Sequence, residues 1–87
     1  MARRRKLMQR ILSGRSDTNI PFEQTRTLLS YLGFSERIVG SHHIFAREDV
    51  PERLNLQPTR EGTLKRYQVR QLRELLVRYE LDKEGDD

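Results

Sequence analysis

The chain has 87 residues, a net charge of +4, 34% charged residues and no cysteine. That length suits one small domain with a modest core, and the missing thiols exclude disulfide staples and thiolate metal sites. No apolar run approaches the roughly 18 residues of a bilayer span, and Gln9, Arg10 and Ser13 interrupt the segment where a signal peptide would be apolar, so a cytoplasmic protein is expected.

Charge is concentrated at the ends. Residues 1–15 hold six basic residues and no acid, and residues 82–87 hold four acids and one lysine, which leaves the middle at +1. A basic arm of this kind binds phosphates without sequence preference or simply keeps a terminus solvated. Leu7, Met8, Ile11 and Leu12 recur at helical spacing between the arginines, which predicts a short amphipathic helix over 3–13, ended by Gly14. A polar connector follows to Asn19. Pro21-Phe22-Glu23 reads as a helix start, with proline tolerated in the first turn and the acid at the positive end of the dipole. Phe22, Leu28, Leu29 and Leu32 supply its buried stripe, and Gly33 ends it.

Beyond Gly33 the pattern becomes β-prone. Arg37-Ile38-Val39, His43-Ile44-Phe45-Ala46 and Leu54-Asn55-Leu56-Gln57 predict three strands, joined by Gly40-Ser41 and by a connector over 47–52 that contains Pro51. The alternation of Leu54 and Leu56 with Asn55 and Gln57 predicts a sheet with one wet face. After a loop over 58–62, Val69, Leu72, Leu76 and Tyr79 predict a last helix from near Lys65 or Tyr67 to Glu80, with Arg66, Arg70 and Arg73 as a second, basic stripe. Helix, helix, three strands, helix implies an α+β domain: helices cover one face of a three-stranded antiparallel sheet, and the other face is left for a partner or ligand.

The chemistry available is sparse. There is no glycine-rich phosphate loop and no His-Glu-x-x-His segment. Only two histidines exist, and as neighbours on a strand they point to opposite faces, so a shared metal ion is not expected and no cofactor is implied. Histidine is the plausible proton-transfer group. RNA suits so small a machinery, because each 2′-hydroxyl is a nucleophile beside its own phosphate. Gly40 permits close backbone approach, Ser41 can donate to a phosphate oxygen, and the charge on phosphorus would be met by one of Arg37, Arg47, Lys65, Arg66 or Arg70, in no order that the residues fix. A histidine pair at a strand start also packs readily as structure. Parity separates the two: with the larger Phe45 facing the core, His43 shares its side and His42 is exposed with Ile44.

The stretch Gly40-Ser41-His42-His43-Ile44-Phe45, preceded by Leu32-Gly33-Phe34 and Arg37-Ile38-Val39 and followed by Gly62-Thr63-Leu64 and a basic amphipathic helix, resembles the HicA-type toxins of toxin–antitoxin systems. The resemblance runs from about Phe22 to Leu81. It divides the chain into a basic N-terminal helix and connector over 1–20, a HicA-like domain over 21–81 and an acidic tail over 82–87. It implies a double-stranded-RNA-binding-domain-like fold, metal-independent endoribonuclease cleavage of mRNA by His42, and a HicB-type antitoxin as partner. Many relatives end the third strand with a Val-Pro-His-type sequence, where this chain has Leu56-Gln57-Pro58. A non-catalytic RNA-binding module of the same fold is the alternative, and a protein-docking domain using the open sheet face is a third reading.

Overall fold

The computed structural model describes residues 3–83; of the expected acidic tail, residues 84–87 lie outside the described residues. The elements are α1 (Arg3–Ser13), α2 (Phe22–Tyr31), β1 (Ser35–Val39), β2 (His42–Arg47), β3 (Val50–Leu56), α3 (Arg66–Arg78) and a 3-10 turn at Leu81–Lys83. The three strands form one antiparallel sheet in the order β1–β2–β3. The protein is therefore an α+β domain of the general kind expected. No helix among the described residues is long and apolar enough to cross a membrane.

The helices form because their apolar spacing matches a helical face. Leu7, Met8 and Ile11 of α1 are buried, as are Phe22, Leu28 and Leu29 of α2 and Val69, Leu72, Leu75 and Leu76 of α3. All of them join Phe45, Leu54 and Leu56 of the sheet in one hydrophobic cluster. The starts of α2 and α3 are tied together by the chain just before them. The Phe22 amide donates to the Gly62 carbonyl and the Leu64 amide to the Ile20 carbonyl, each at 2.9 Å. Gln68, buried within α3, turns its side-chain oxygen back to accept from the Lys65 amide at 3.2 Å, which satisfies one of the otherwise orphaned donors of the first turn. At the other end, Arg78 and the Tyr79 hydroxyl both bond Glu52, which pins the end of α3 to the first half of β3.

The third strand is longer than the sequence suggests. The connector expected over 47–52 shrinks to Glu48 and Asp49, and β3 begins at Val50, which pairs with Arg47 and is buried at 1% exposure. Pro51 reads as a strand breaker, yet β3 is an edge strand. A residue without an N–H is tolerated there when that side of the strand faces no neighbour.

The basic stripe of α3 is also divided. Arg73 reaches back to α1 and its connector: Nη1 donates to the Ile11 carbonyl at 2.9 Å, and Nη1 and Nη2 donate to the two Asp17 carboxylate oxygens at 3.0 and 3.1 Å. The pair is mostly enclosed, with side-chain exposures of 21% and 15%. The Arg73 hydrogen bond, opposed by burial and helped by the charges of Arg73, Arg70 and Arg66, holds the Asp17 carboxyl below its ordinary 3.8. A carboxyl whose folded value is depressed stabilises the fold above its unfolded value and loses that contribution as pH falls through the lower one. Asp17→Asn is therefore expected to cost about 1–2 kcal/mol at neutral pH. Thermal melts should also show that its Tm falls less than the parent's as pH drops below the ordinary aspartate value of 3.8.

Candidate active site

Residues 40 and 41 make the turn between β1 and β2, and His42 is the first residue after it. In the β1–β2 register Val39 stands opposite His42 and Arg37 opposite Ile44; in the β2–β3 register Ile44 faces Asn55 and Phe45 faces Leu54. Phe45, Leu54 and Leu56 are buried beneath the helices. By the two-residue alternation of strands, Arg37, Val39, His42, Ile44 and Asn55 therefore share the helix-free face. None of them is buried, and His42 is exposed.

The two histidines have different surroundings. His43, on the helix side, places Nδ1 2.6 Å from Glu36 Oε2 and sets its ring edge-on to Phe22 of α2, with centroids 4.7 Å apart. Glu36 is also held by Arg26 at 2.9 Å. Burial pushes the Glu36 carboxyl up, but hydrogen bonds from Arg26 and His43 outweigh that and leave it below the usual range. His43 is thus part of the joint between the sheet and α2. His42, on the open face, places Nδ1 3.1 Å from Asn55 Oδ1. Beside it the Ser41 hydroxyl accepts from Gln57 Nε2 at 3.0 Å.

The basic residues singled out from the sequence separate into three groups. Arg37 is exposed on the His42 face, diagonal to it across the strand pair, at the roughly 7 Å typical of such neighbours. Arg47 lies at the far end of β2, on the order of 15 Å along the strand. It donates to the Leu32 carbonyl at 2.9 Å and pairs with Asp49 at 2.7 Å, so it braces the end of α2. Lys65 immediately precedes α3, and Arg66 and Arg70 lie on that helix, where the charges of both arginines act on Asp17. These three belong to the helix layer and not to the sheet face that carries His42. Arg37 is therefore the one cation of the five that the fold places beside the histidine.

Asn55 and Gln57 were visible in the sequence as wet-face positions of a strand. Their partners were not, because only the strand register decides which side chains they reach. Among the described residues, no group of three or more histidine, aspartate or glutamate side chains converges as a metal-ligand set.

The turn itself depends on glycine. Gly40 has φ +62°, and no heavy atom lies within 4 Å of where a Cβ would stand. An alanine there would be strained by backbone conformation alone, at about 1–2 kcal/mol. Gly40→Ala should therefore lower Tm by roughly 4–16 °C for a domain of this size, measurable by thermal denaturation.

No protein family, curated protein or solved structure matches this chain.

Proposed function

We propose that the protein is an endoribonuclease toxin of the HicA kind, with a double-stranded-RNA-binding-domain-like fold, acting on mRNA in the cytoplasm without a metal ion. The observation that carries the reading is the position of His42: an exposed imidazole at the strand start, directly after a Gly-Ser turn, on the sheet face that the helices leave open. Ser41 and the backbone of Gly40 flank the place where a phosphate would lie, and Arg37 shares the face. In this reading His42 moves the proton while the RNA 2′-oxygen bonds to the adjacent phosphorus and the bond from phosphorus to the 5′-oxygen breaks. The products are a 2′,3′-cyclic phosphate and a 5′-hydroxyl end. A HicB-type antitoxin would then act by covering the same open face.

The test is RNA decay after induced expression, comparing the parent with His42→Ala, followed by end-group analysis of the fragments. Cleavage that persists in a chelator and leaves cyclic phosphate ends is the expected result. Cleavage that requires added divalent metal contradicts the mechanism. Salt-sensitive RNA binding with no cleavage would identify the non-catalytic module instead.

A further inference from the structure

We infer that Asn55 is a positioning residue for His42, holding its imidazole with the proton on Nδ1 so that Nε2 is the atom that exchanges protons with RNA. The geometry stands independently, while its catalytic consequence rests on the ribonuclease reading above.

An exposed histidine on an open sheet face has no packing to hold its ring, and a free neutral imidazole favours the proton on Nε2, the wrong form for a base working through that atom. Asn55 Oδ1 is an acceptor only, so the 3.1 Å approach of His42 Nδ1 requires a proton on Nδ1. The Nε2 lone pair is then left for chemistry. The support is rigid, because Asn55 is held by the β2–β3 ladder opposite Ile44, two residues along from His42.

The chain repeats the device two residues later, just past the end of β3. Gln57 Nε2 donates to Ser41 Oγ at 3.0 Å, which occupies a lone pair of the hydroxyl and leaves its proton to be donated elsewhere. Asn55 of β3 and Gln57 just beyond it thus offer two amides, one accepting and one donating, to the two polar side chains that follow Gly40. The arrangement is the general one in which a second residue sets the tautomer of a working histidine.

The test uses the full chain labelled with 15N-histidine, with parent, Asn55→Leu and Asn55→Asp compared by nitrogen chemical shift and by RNA cleavage against pH. In the parent, above the His42 titration, Nδ1 should show the protonated, pyrrole-like shift and Nε2 the pyridine-like one. Asn55→Leu should move the proton to Nε2 and lower kcat by roughly 10- to 100-fold with KM little changed. Asn55→Asp keeps an acceptor and adds a negative charge, so it should retain the Nδ1 proton and move the His42 titration, and the low-pH limb of the rate profile, to higher pH. A parent spectrum with the proton on Nε2, or a tautomer unchanged in Asn55→Leu, overturns the inference. Should His42→Ala cleave as fast as the parent, the ribonuclease reading fails, and the nitrogen shifts still decide the role of Asn55.

Discussion

Replacing His42 by alanine is expected to slow RNA cleavage by roughly 10²- to 10⁴-fold, the usual contribution of one positioned proton-transfer group, and to leave the fold intact. The side chain is exposed on the open sheet face, and its polar contact is with Asn55, itself exposed. Removing it uncovers no core and orphans no buried atom. The neighbouring change should behave in the opposite way. His43→Ala deletes a hydrogen bond to Glu36 and an edge-on ring contact with Phe22. Those two losses together cost about 2 kcal/mol, while cleavage by the molecules that remain folded persists. The two substitutions form a matched pair, one lowering activity at constant Tm and the other lowering Tm at nearly constant activity. Equal cleavage by His42→Ala and the parent would remove His42 from the mechanism, and loss of cleavage without loss of stability in His43→Ala would exchange the two roles.

Deleting residues 1–14 is expected to unfold the domain. Judged by composition, this segment is a basic arm, since it carries five of the 17 basic residues. In the structure Leu7, Met8 and Ile11 are buried at 5%, 3% and 0% exposure in the same cluster as the sheet residues. Each such side chain contributes about 1.5–3 kcal/mol when removed from water. The deletion would also expose the apolar surfaces of α2 and α3 that α1 covers, and leave Arg73 without the Ile11 carbonyl. Small domains are stable by only about 5–15 kcal/mol in all, so losing the three side chains, about 4.5–9 kcal/mol together, along with the cover of α2 and α3, is enough to overturn a margin of that size. Circular dichroism and a thermal melt of the shortened chain should show no cooperative transition near that of the parent. Ile11→Ala, which removes one of the three, should cost roughly 2–4 kcal/mol and remain folded. A shortened chain that melts like the parent would show that α1 is dispensable.

Much of the architecture was legible before any coordinates. The spacing of Leu7, Met8 and Ile11 placed α1, and Pro21 and Gly33 bounded α2 closely. Gly33 has φ +92°, a conformation that costs a side chain and so marks a helix end. The start of β3 was misread because Pro51 is a local signal against strand, whereas the burial of Val50 and the edge position of the strand are properties of the assembled sheet. Of the site, strand parity alone separated His42 from His43, since neighbouring residues on a strand must face opposite ways and the larger Phe45 gains more from burial than Ile44.

The cations were another matter. Arg37, Arg47, Lys65, Arg66 and Arg70 are equivalent as letters, and only the fold assigns Arg37 to the histidine face, Arg47 to the carbonyl of Leu32 and the others to the helix layer. What the sequence by itself determined was periodic: which residues form each helix or strand, and which side of it each one faces. Those facts depend on neighbours a few positions away. What only the tertiary structure decided was pairing across distance, such as Arg73 with Asp17 at a separation of 56 residues and His42 with Asn55 at 13. Such pairs depend on strand register and on how helices settle over the sheet, and these are set by the packing of the whole core.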